Sequence, residues 1–174
     1  MKVRFVARYT MVALLVLIPL LAVLSAASPT PRPVPTGWTG ERHCVPVGGM
    51  LMTNFGAIDA NTTMGTATGD LRGAVSGTLL GAPQPGAGNT LVFHIQHHWV
   101  TESGDTLTFD PATAATVPLS PTLFAVLTYP VHITGGTGKF AGATGDLTNI
   151  GEVDLKAAAT VFRYSGQVCF AEQD

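Results

Sequence analysis

The chain has 174 residues, of which 11% are charged, with nine Lys and Arg against eleven Asp and Glu. Phosphate binding requires clustered positive charge, and the chain has no basic run, so nucleic acid is a poor partner. The length is enough for one domain beyond an N-terminal leader, so a multidomain protein is not expected.

The first 27 residues have the pattern of a secretory signal peptide. Basic residues precede an apolar run, Met11–Leu24, and small residues follow it at Ser25–Ala27. The run is shorter than the about 20 residues of a membrane span, although an uncleaved N-terminal membrane anchor is the alternative. The sequence therefore predicts a protein secreted or held in the periplasm or cell envelope, cleaved after Ala27.

Residues 28–39 alternate proline with small or polar residues, so they can form neither a helix nor a sheet ladder. They are predicted to be an extended, disordered linker. The remaining residues, 40–174, contain no second linker and are predicted to form a single domain.

Two cysteines, Cys44 and Cys169, lie near opposite ends of this domain. In an exported protein they are expected to form one disulfide between the first and last strand regions. A metal pair and a reactive thiol are the alternatives.

The domain has almost no helical periodicity and is rich in Thr, Val and Gly, a composition that favours strands. In chain order the predicted strands are Cys44–Val47, Gly49–Ile58, Thr62–Thr68, Leu71–Leu80, Thr90–Thr101, Thr106–Phe109, Leu123–Thr134, Gly145–Gly151 and Ala158–Phe170. Many strands joined by short turns in a small chain predict a β-sandwich or a closed barrel. The barrel is favoured because it leaves no sheet edge exposed.

Alternation is clearest in the predicted strand Thr90–Thr101. One face is more apolar and is expected to point inward, and it consists of Leu91, Phe93, Ile95, His97 and Trp99. The other face, with His94 and His98, is expected to point outward. A register error of one residue would reverse the assignment.

The three histidines of this strand, followed by Glu102, raise the question of a metal site. His94 and His98 are two pleats apart, roughly 13 Å, which is too far for one ion. The stretch from Gly136 to Lys139 does not match a phosphate-binding loop either, because Phe140 follows Lys139 where that motif has a hydroxyl-bearing residue. Neither a metal nor another cofactor is predicted.

A glycine-containing phrase occurs twice, as Thr68–Ala74 and again as Thr137–Ala143. Glycines at fixed places indicate turns, because they adopt positive φ or let another backbone come close. The glycines expected to shape these turns are Gly69, Gly73, Gly135, Gly136, Gly138, Gly142 and Gly145. The stretch Ile133–Gly145 resembles the turn of the allene oxide cyclase and dirigent barrel superfamily. The chain is similar to exported bacterial members of the allene oxide cyclase barrel-like group, and the resemblance extends over about Gly65–Cys169.

The resemblance implies an all-β fold, a closed antiparallel barrel of about eight strands around an apolar cavity, with no cofactor. It leaves two functions open. One is a barrel that binds a small apolar organic ligand outside the cytoplasm. The other is a cofactor-independent cyclase, isomerase or dirigent-type coupling guide, which holds a reactive molecule in one conformation. A structural envelope barrel, filled by its own side chains, is a further alternative.

Catalytic residues cannot be transferred, because the shared motif is a turn. The candidate ligand-binding residues are Phe93, His97, Trp99, Glu102 near a barrel mouth, and the phenols Tyr129 and Tyr164. His97 is either an acid or base near neutral pH or an ordinary wall residue. The expected partner is a small apolar molecule, with a homo-oligomer left open and no stable membrane insertion after signal cleavage.

Overall fold

The computed structural model describes residues 42–56 and 58–171. The predicted signal peptide, the linker and the start of the domain at residue 40 lie outside these residues. Ten strands and two short 3-10 turns make up the described chain. Within these two ranges no helix has the length and apolarity that a membrane crossing requires.

The strands follow one another in chain order with the bounds β1 His43–Phe55, β2 Thr62–Ala67, β3 Gly73–Leu79, β4 Gln84–Pro85, β5 Leu91–Thr101, β6 Thr106–Phe109, β7 Ala112–Pro118, β8 Leu123–Gly136, β9 Thr144–Asp154 and β10 Ala159–Phe170. All of the pairings are antiparallel. β6 and β7 both lie between β5 and β8 and fill one strand position, since Asp110 and Pro111 interrupt them. The pairing of β3 with β5 closes the sheet, and β4 only adds two residues beside β5. The predicted closed antiparallel barrel of eight strands is confirmed.

The predicted elements differ from the observed strands at several positions. The predicted strand Leu71–Leu80 begins at Gly73, because Leu71 ends a 3-10 turn, and the two-residue strand β4 lies outside the predicted strands.

The first two predicted strands are one, because Gly48 and Gly49 stay in the β1–β10 ladder opposite Ser165 and Tyr164. The strand β7 was not predicted, because Ala112–Pro118 has three alanines, no aromatic residue and a proline at its end.

The disulfide between Cys44 and Cys169 is present. The two residues are direct partners in the β1–β10 ladder, so the bond links the first and last strands of the barrel. Its position agrees with the sequence prediction.

The two copies of the glycine-containing phrase form equivalent turns at the same end of the barrel. Each is a single 3-10 turn, Gly69–Leu71 between β2 and β3 and Gly138–Phe140 between β8 and β9. Each inserts its apolar residue into the interior, so that Leu71 is 3% and Phe140 1% exposed. We call this the closed end, because two buried side chains fill it.

The threonine that begins each copy fastens the turn to a neighbouring strand. The Thr68 N–H donates to the Met50 carbonyl, and the Met50 N–H donates to the Thr68 hydroxyl. Thr137 makes the same two bonds with Thr106. Both copies of the repeated sequence therefore anchor their turn through the same pair of hydrogen bonds.

Glycine is required at the first position of each turn. Gly69 has a φ of +83° and Gly138 a φ of +55°, in the left-handed region that residues with a Cβ rarely adopt. A Cβ on Gly138 would also collide with the Asp105 carboxylate. Gly73, Gly135, Gly142 and Gly145 also have positive φ, whereas Gly136 does not.

Candidate functional site

The barrel encloses an apolar cavity of about 560 Å³ that begins at the end opposite the closed end. Its wall is built from inward-facing residues of the strands, chiefly Phe93, Ile95, Phe124, Val126, Val153 and Phe162. Exposed loop residues such as Ala60, Pro83 and Leu155 surround its mouth. Cavities of 300–1,000 Å³ with mainly apolar walls are typical of sites for small organic ligands.

The two threonine hydroxyls in this wall are hydrogen-bonded within the barrel, and the other polar side chain, Asn61, is exposed. The Thr116 hydroxyl donates to the Leu91 carbonyl, and the Thr63 hydroxyl donates to the Gly77 carbonyl. No Asp, Glu, Lys or Arg of the described residues lines the cavity. The wall therefore offers an occupant contact with apolar surface and no charge.

A second, smaller cavity of about 70 Å³ adjoins the first on the side of the closed end. The two share Thr63, Gly77, Ile95 and Phe162 in their walls. Its lining includes His97, Tyr129 and the hydrogen-bonded hydroxyls of Thr53 and Thr160. We call it the inner cavity and the larger one the outer cavity.

His97 and Tyr129 form a hydrogen-bonded pair beside the inner cavity. The Tyr129 hydroxyl lies 2.6 Å from His97 Nε2, and the Phe109 ring packs edge-on against the imidazole with ring centroids 5.8 Å apart. His97 Nδ1 is buried and has no hydrogen-bond partner among residues 42–56 and 58–171. The imidazole lines the inner cavity, but this nitrogen is enclosed by protein atoms and has almost no accessible surface.

The hydrogen bonds of Tyr129 indicate which imidazole nitrogen carries the proton. The Tyr129 O–H has no acceptor other than His97 Nε2 in the described part of the chain, so it donates there. A neutral imidazole that accepts at Nε2 carries its hydrogen on Nδ1. The unpartnered atom is therefore an N–H donor.

Burial changes the pKa of both members of this pair. It lowers the pKa of His97 from 6.5 to about 4, because the charged imidazolium loses its hydration. It raises the pKa of Tyr129 above the usual value of 10.0, because the phenolate would be desolvated. Both groups are consequently neutral at neutral pH.

A β-bulge is responsible for the inward position of Tyr129. Leu127 and Thr128 both face outward, opposite the single residue Ile150 of β9, so the alternation of β8 shifts between Val126 and Tyr129. A regular strand with Val126 inside would point Tyr129 outward. The bulge thus brings the phenol to His97.

The structure brings four of the six candidate ligand-binding residues to the cavities. Phe93 lines the outer cavity, and His97, Trp99 and Tyr129 line the inner one. The inward and outward faces of β5 agree with the predicted alternation, since His94 and His98 are exposed. His94 Nδ1 lies 3.1 Å from the Thr113 hydroxyl, and no cluster of three metal-ligating side chains occurs within the described ranges.

Glu102 and Tyr164 lie at the closed end, away from both cavities. Glu102 is exposed and pairs with Arg72 at 2.9 Å. Tyr164 is fully buried, accepts a hydrogen bond from the Leu71 N–H and donates one to the Thr68 carbonyl. Trp99 Nε1 donates to the Leu71 carbonyl at 2.7 Å, so two aromatic side chains hold the first turn.

Sequence reasoning missed much of the outer wall. Phe162 alternates with Tyr164 along β10, and the same period-two pattern could have identified it. Ala114 and Thr116 belong to the unpredicted strand β7 and had no comparable signal.

The pKa of His97 leads to a testable pH dependence. Its folded value, about 4, is below the unfolded value of 6.5, so unfolding takes up a proton between these pH values. The contribution of His97 to the free energy of unfolding is fully present above pH 6.5. It is lost as the pH falls to about 4, and the whole loss is about 3 kcal/mol. We expect His97→Gln to remove this part of the acid sensitivity in urea unfolding at the two pH values. His94→Gln is the matched control and should keep the wild-type loss, and equal losses in all three proteins would contradict the assignment.

No protein-family model matches the chain, and no curated protein matches it. Among solved structures it is similar to the pterocarpan synthase dirigent protein GePTS1, with 15% identity, a TM-score of 0.35, and coverage of 86% of this chain and 99% of that chain. It is also similar to the pterocarpan synthase dirigent protein PsPTS1, with 14% identity, a TM-score of 0.32, and coverage of 75% and 97%. Both of these structures are dirigent proteins. The eight-stranded barrel of this chain follows from its own strand pairing.

Proposed function

We propose that this protein is an exported barrel that binds a small apolar organic molecule in its outer cavity. The observation that supports this proposal is a cavity of about 560 Å³ with an apolar wall. The two threonine hydroxyls in the wall are already hydrogen-bonded within the barrel. Moving an apolar molecule from water into such a space is favourable by roughly 25 cal/mol per Å² of surface buried. Export is supported by the disulfide and by the leader pattern of residues 1–27.

Binding is better supported than a proton-transfer enzyme. An effective acid or base has a pKa near the working pH, whereas His97 has a pKa of about 4 and Tyr129 one above its usual value. The pair is thus suited to hydrogen bonding and poorly suited to moving protons. A cyclase or coupling guide that acts only by holding one conformation remains the second candidate, because it needs the same apolar cavity and no acid or base.

The test is binding of a hydrophobic fluorescent dye to the folded protein, with a matched pair of variants. Ala114 is buried and lines the outer cavity, while its neighbour Ala115 is exposed on the outside of β7. Ala114→Trp should occupy part of the outer cavity and weaken dye binding by about tenfold or more, a change of about 1.4 kcal/mol. Ala115→Trp should leave it unchanged. Native mass spectrometry of the purified protein should also detect a retained small molecule.

Two results would contradict the proposal. Dye binding that survives Ala114→Trp would place the dye outside the cavity. A folded wild-type protein that binds no apolar probe would leave the barrel with a structural role.

A further inference from the structure

We propose that the end of the barrel with the cavity mouth, which we call the open end, docks reversibly on the surface of a phospholipid bilayer, and that the ligand enters the outer cavity from that bilayer. Docking depends on the loops of the open end. Entry of the ligand rests on the proposed function, because it needs the outer cavity as a binding site.

The first support is the distribution of exposed apolar side chains. The strands are antiparallel and the two glycine turns lie at the closed end, so the connections β1–β2, β3–β5, β7–β8 and β9–β10 lie at the open end. Each of these four connections carries one large aliphatic side chain that is more than half exposed, and these side chains are Ile58, Leu80, Leu119 and Leu155. Exposed apolar residues gathered around one opening mark an interaction surface, whereas single scattered ones do not.

The loops of the closed end have the opposite composition. Their exposed charged side chains are Asp70, Arg72, Glu102 and Lys139. No large apolar side chain is exposed in the closed-end loops of the described chain, because Leu71 and Phe140 point inward. The apolar surface is therefore a property of one end of the barrel and not of its loops in general.

Charge is sparse at the open end. In the described part of its four loops there is one acid, Asp59, and one base, Lys156, while Asp154 ends the adjoining strand β9. Both carboxylates accept hydrogen bonds from N–H groups of their own turns. Attraction of a protein to anionic lipid requires several clustered Lys or Arg side chains, which these loops do not have. Docking is thus expected to depend on burial of the apolar side chains among the lipids.

A bilayer is the partner that fits apolar loops around an open cavity. A protein seated on these loops would close the mouth, whereas a bilayer would place the mouth against the boundary of headgroups and acyl chains. Apolar molecules leave water for that environment, so the bilayer is also where the ligand would be concentrated. Leu155 is exposed at the open end and also lines the outer cavity, so the two apolar surfaces are continuous.

The first experiment places a fluorescent label on one loop of the open end. The only two cysteines of the chain are bonded to each other, so Leu119→Cys supplies a single thiol for an environment-sensitive fluorophore. Vesicles of phosphatidylcholine that contain a lipid-bound quencher should quench this label. Leu127→Cys is the matched control, because Leu127 is 68% exposed against 58% for Leu119 but lies on the side of the barrel in β8. Its label should keep its fluorescence.

The label reports contact at one loop, so a leader retained on the chain does not by itself produce this pattern. Quenching at position 127 and not at 119, or at neither position, would overturn docking by the open end.

The second experiment measures how much unlabelled protein floats with phosphatidylcholine vesicles. Leu119→Asp should weaken this binding about fivefold or more, because an exposed leucine loses its contact with lipid and a carboxylate is dehydrated in its place. Leu127→Asp should bind as the wild-type protein does. Added phosphatidylserine should have little effect, and binding that occurs only with phosphatidylserine would overturn docking through apolar side chains.

The third experiment separates this inference from the proposed function. A hydrophobic dye is dissolved in the vesicles, and its transfer into the folded protein is followed over time. Leu119→Asp should slow the transfer in proportion to the lost docking and leave the affinity for dye in solution unchanged, since Leu119 does not line the outer cavity. Equal transfer rates would overturn entry from the bilayer while cavity binding stands. A wild-type protein that docks on vesicles but binds no dye would overturn ligand entry together with the proposed function.

Discussion

Replacement of both Cys44 and Cys169 by alanine is expected to lower the free energy of unfolding by about 5 kcal/mol in the chain-entropy model. The bond closes a loop with a sequence separation of 125 residues, so its removal frees a large number of unfolded conformations. The folded barrel should change little, because twelve residue pairs from His43–Phe170 to Asn54–Ala159 still hold β1 against β10.

The measurement is urea unfolding of the wild-type and double-alanine proteins, with and without a reducing agent. The reducing agent should destabilise the wild-type protein and leave the double variant unchanged, which serves as the control. Thiol counting on unreduced, denatured wild-type protein should find no free Cys44 or Cys169. Two reactive thiols, or equal stability of the two proteins, would contradict the expectation.

Substitution of Gly49 by alanine is expected to destabilise the barrel by about 3 kcal/mol or more, a large value for one methyl group. A Cβ at this position would collide with the Thr68 carbonyl oxygen and lie 2.7 Å from the Tyr164 ring and hydroxyl. The Thr68 carbonyl is part of the first turn, and Tyr164 is fully buried, so neither can move away freely.

Gly48 provides the matched control, because it is the adjacent glycine of the same strand. A Cβ there would meet only the Tyr164 carbonyl oxygen, at an ordinary distance of 3.4 Å. Gly48→Ala should be neutral or stabilise the protein by up to about 1 kcal/mol, because alanine loses less backbone entropy on folding. Thermal unfolding of the two variants tests the difference. Equal melting temperatures would show that Tyr164 and the turn adapt to the added methyl group.

Several features of the fold could be predicted from local patterns. Period-two alternation placed Phe93, His97 and Trp99 on the inner face of β5, because side chains of a strand point alternately to its two faces. Export context and position predicted the disulfide between Cys44 and Cys169. The repeated glycine phrase indicated two turns, since positive φ restricts the choice of residue.

The cavities could be predicted only in part, because they depend on which residues meet from distant parts of the chain. Tyr129 points inward only because β8 has a bulge, and the alternation of an isolated strand does not reveal a phase shift. Tyr164 has the same period as Phe162 on β10, yet it lies at the closed end and holds the first turn. Its position along the barrel depends on the pairing with β1.

The sequence by itself determined that this chain is built of strands with glycine turns and a terminal disulfide, because residue propensity, alternation and backbone sterics act over a few residues. The tertiary structure alone decided which end of the barrel is closed by Leu71 and Phe140 and which end contains the apolar cavity. It also decided that His97 meets Tyr129. These features arise from packing across the barrel, where residues 32 positions apart come within hydrogen-bonding distance.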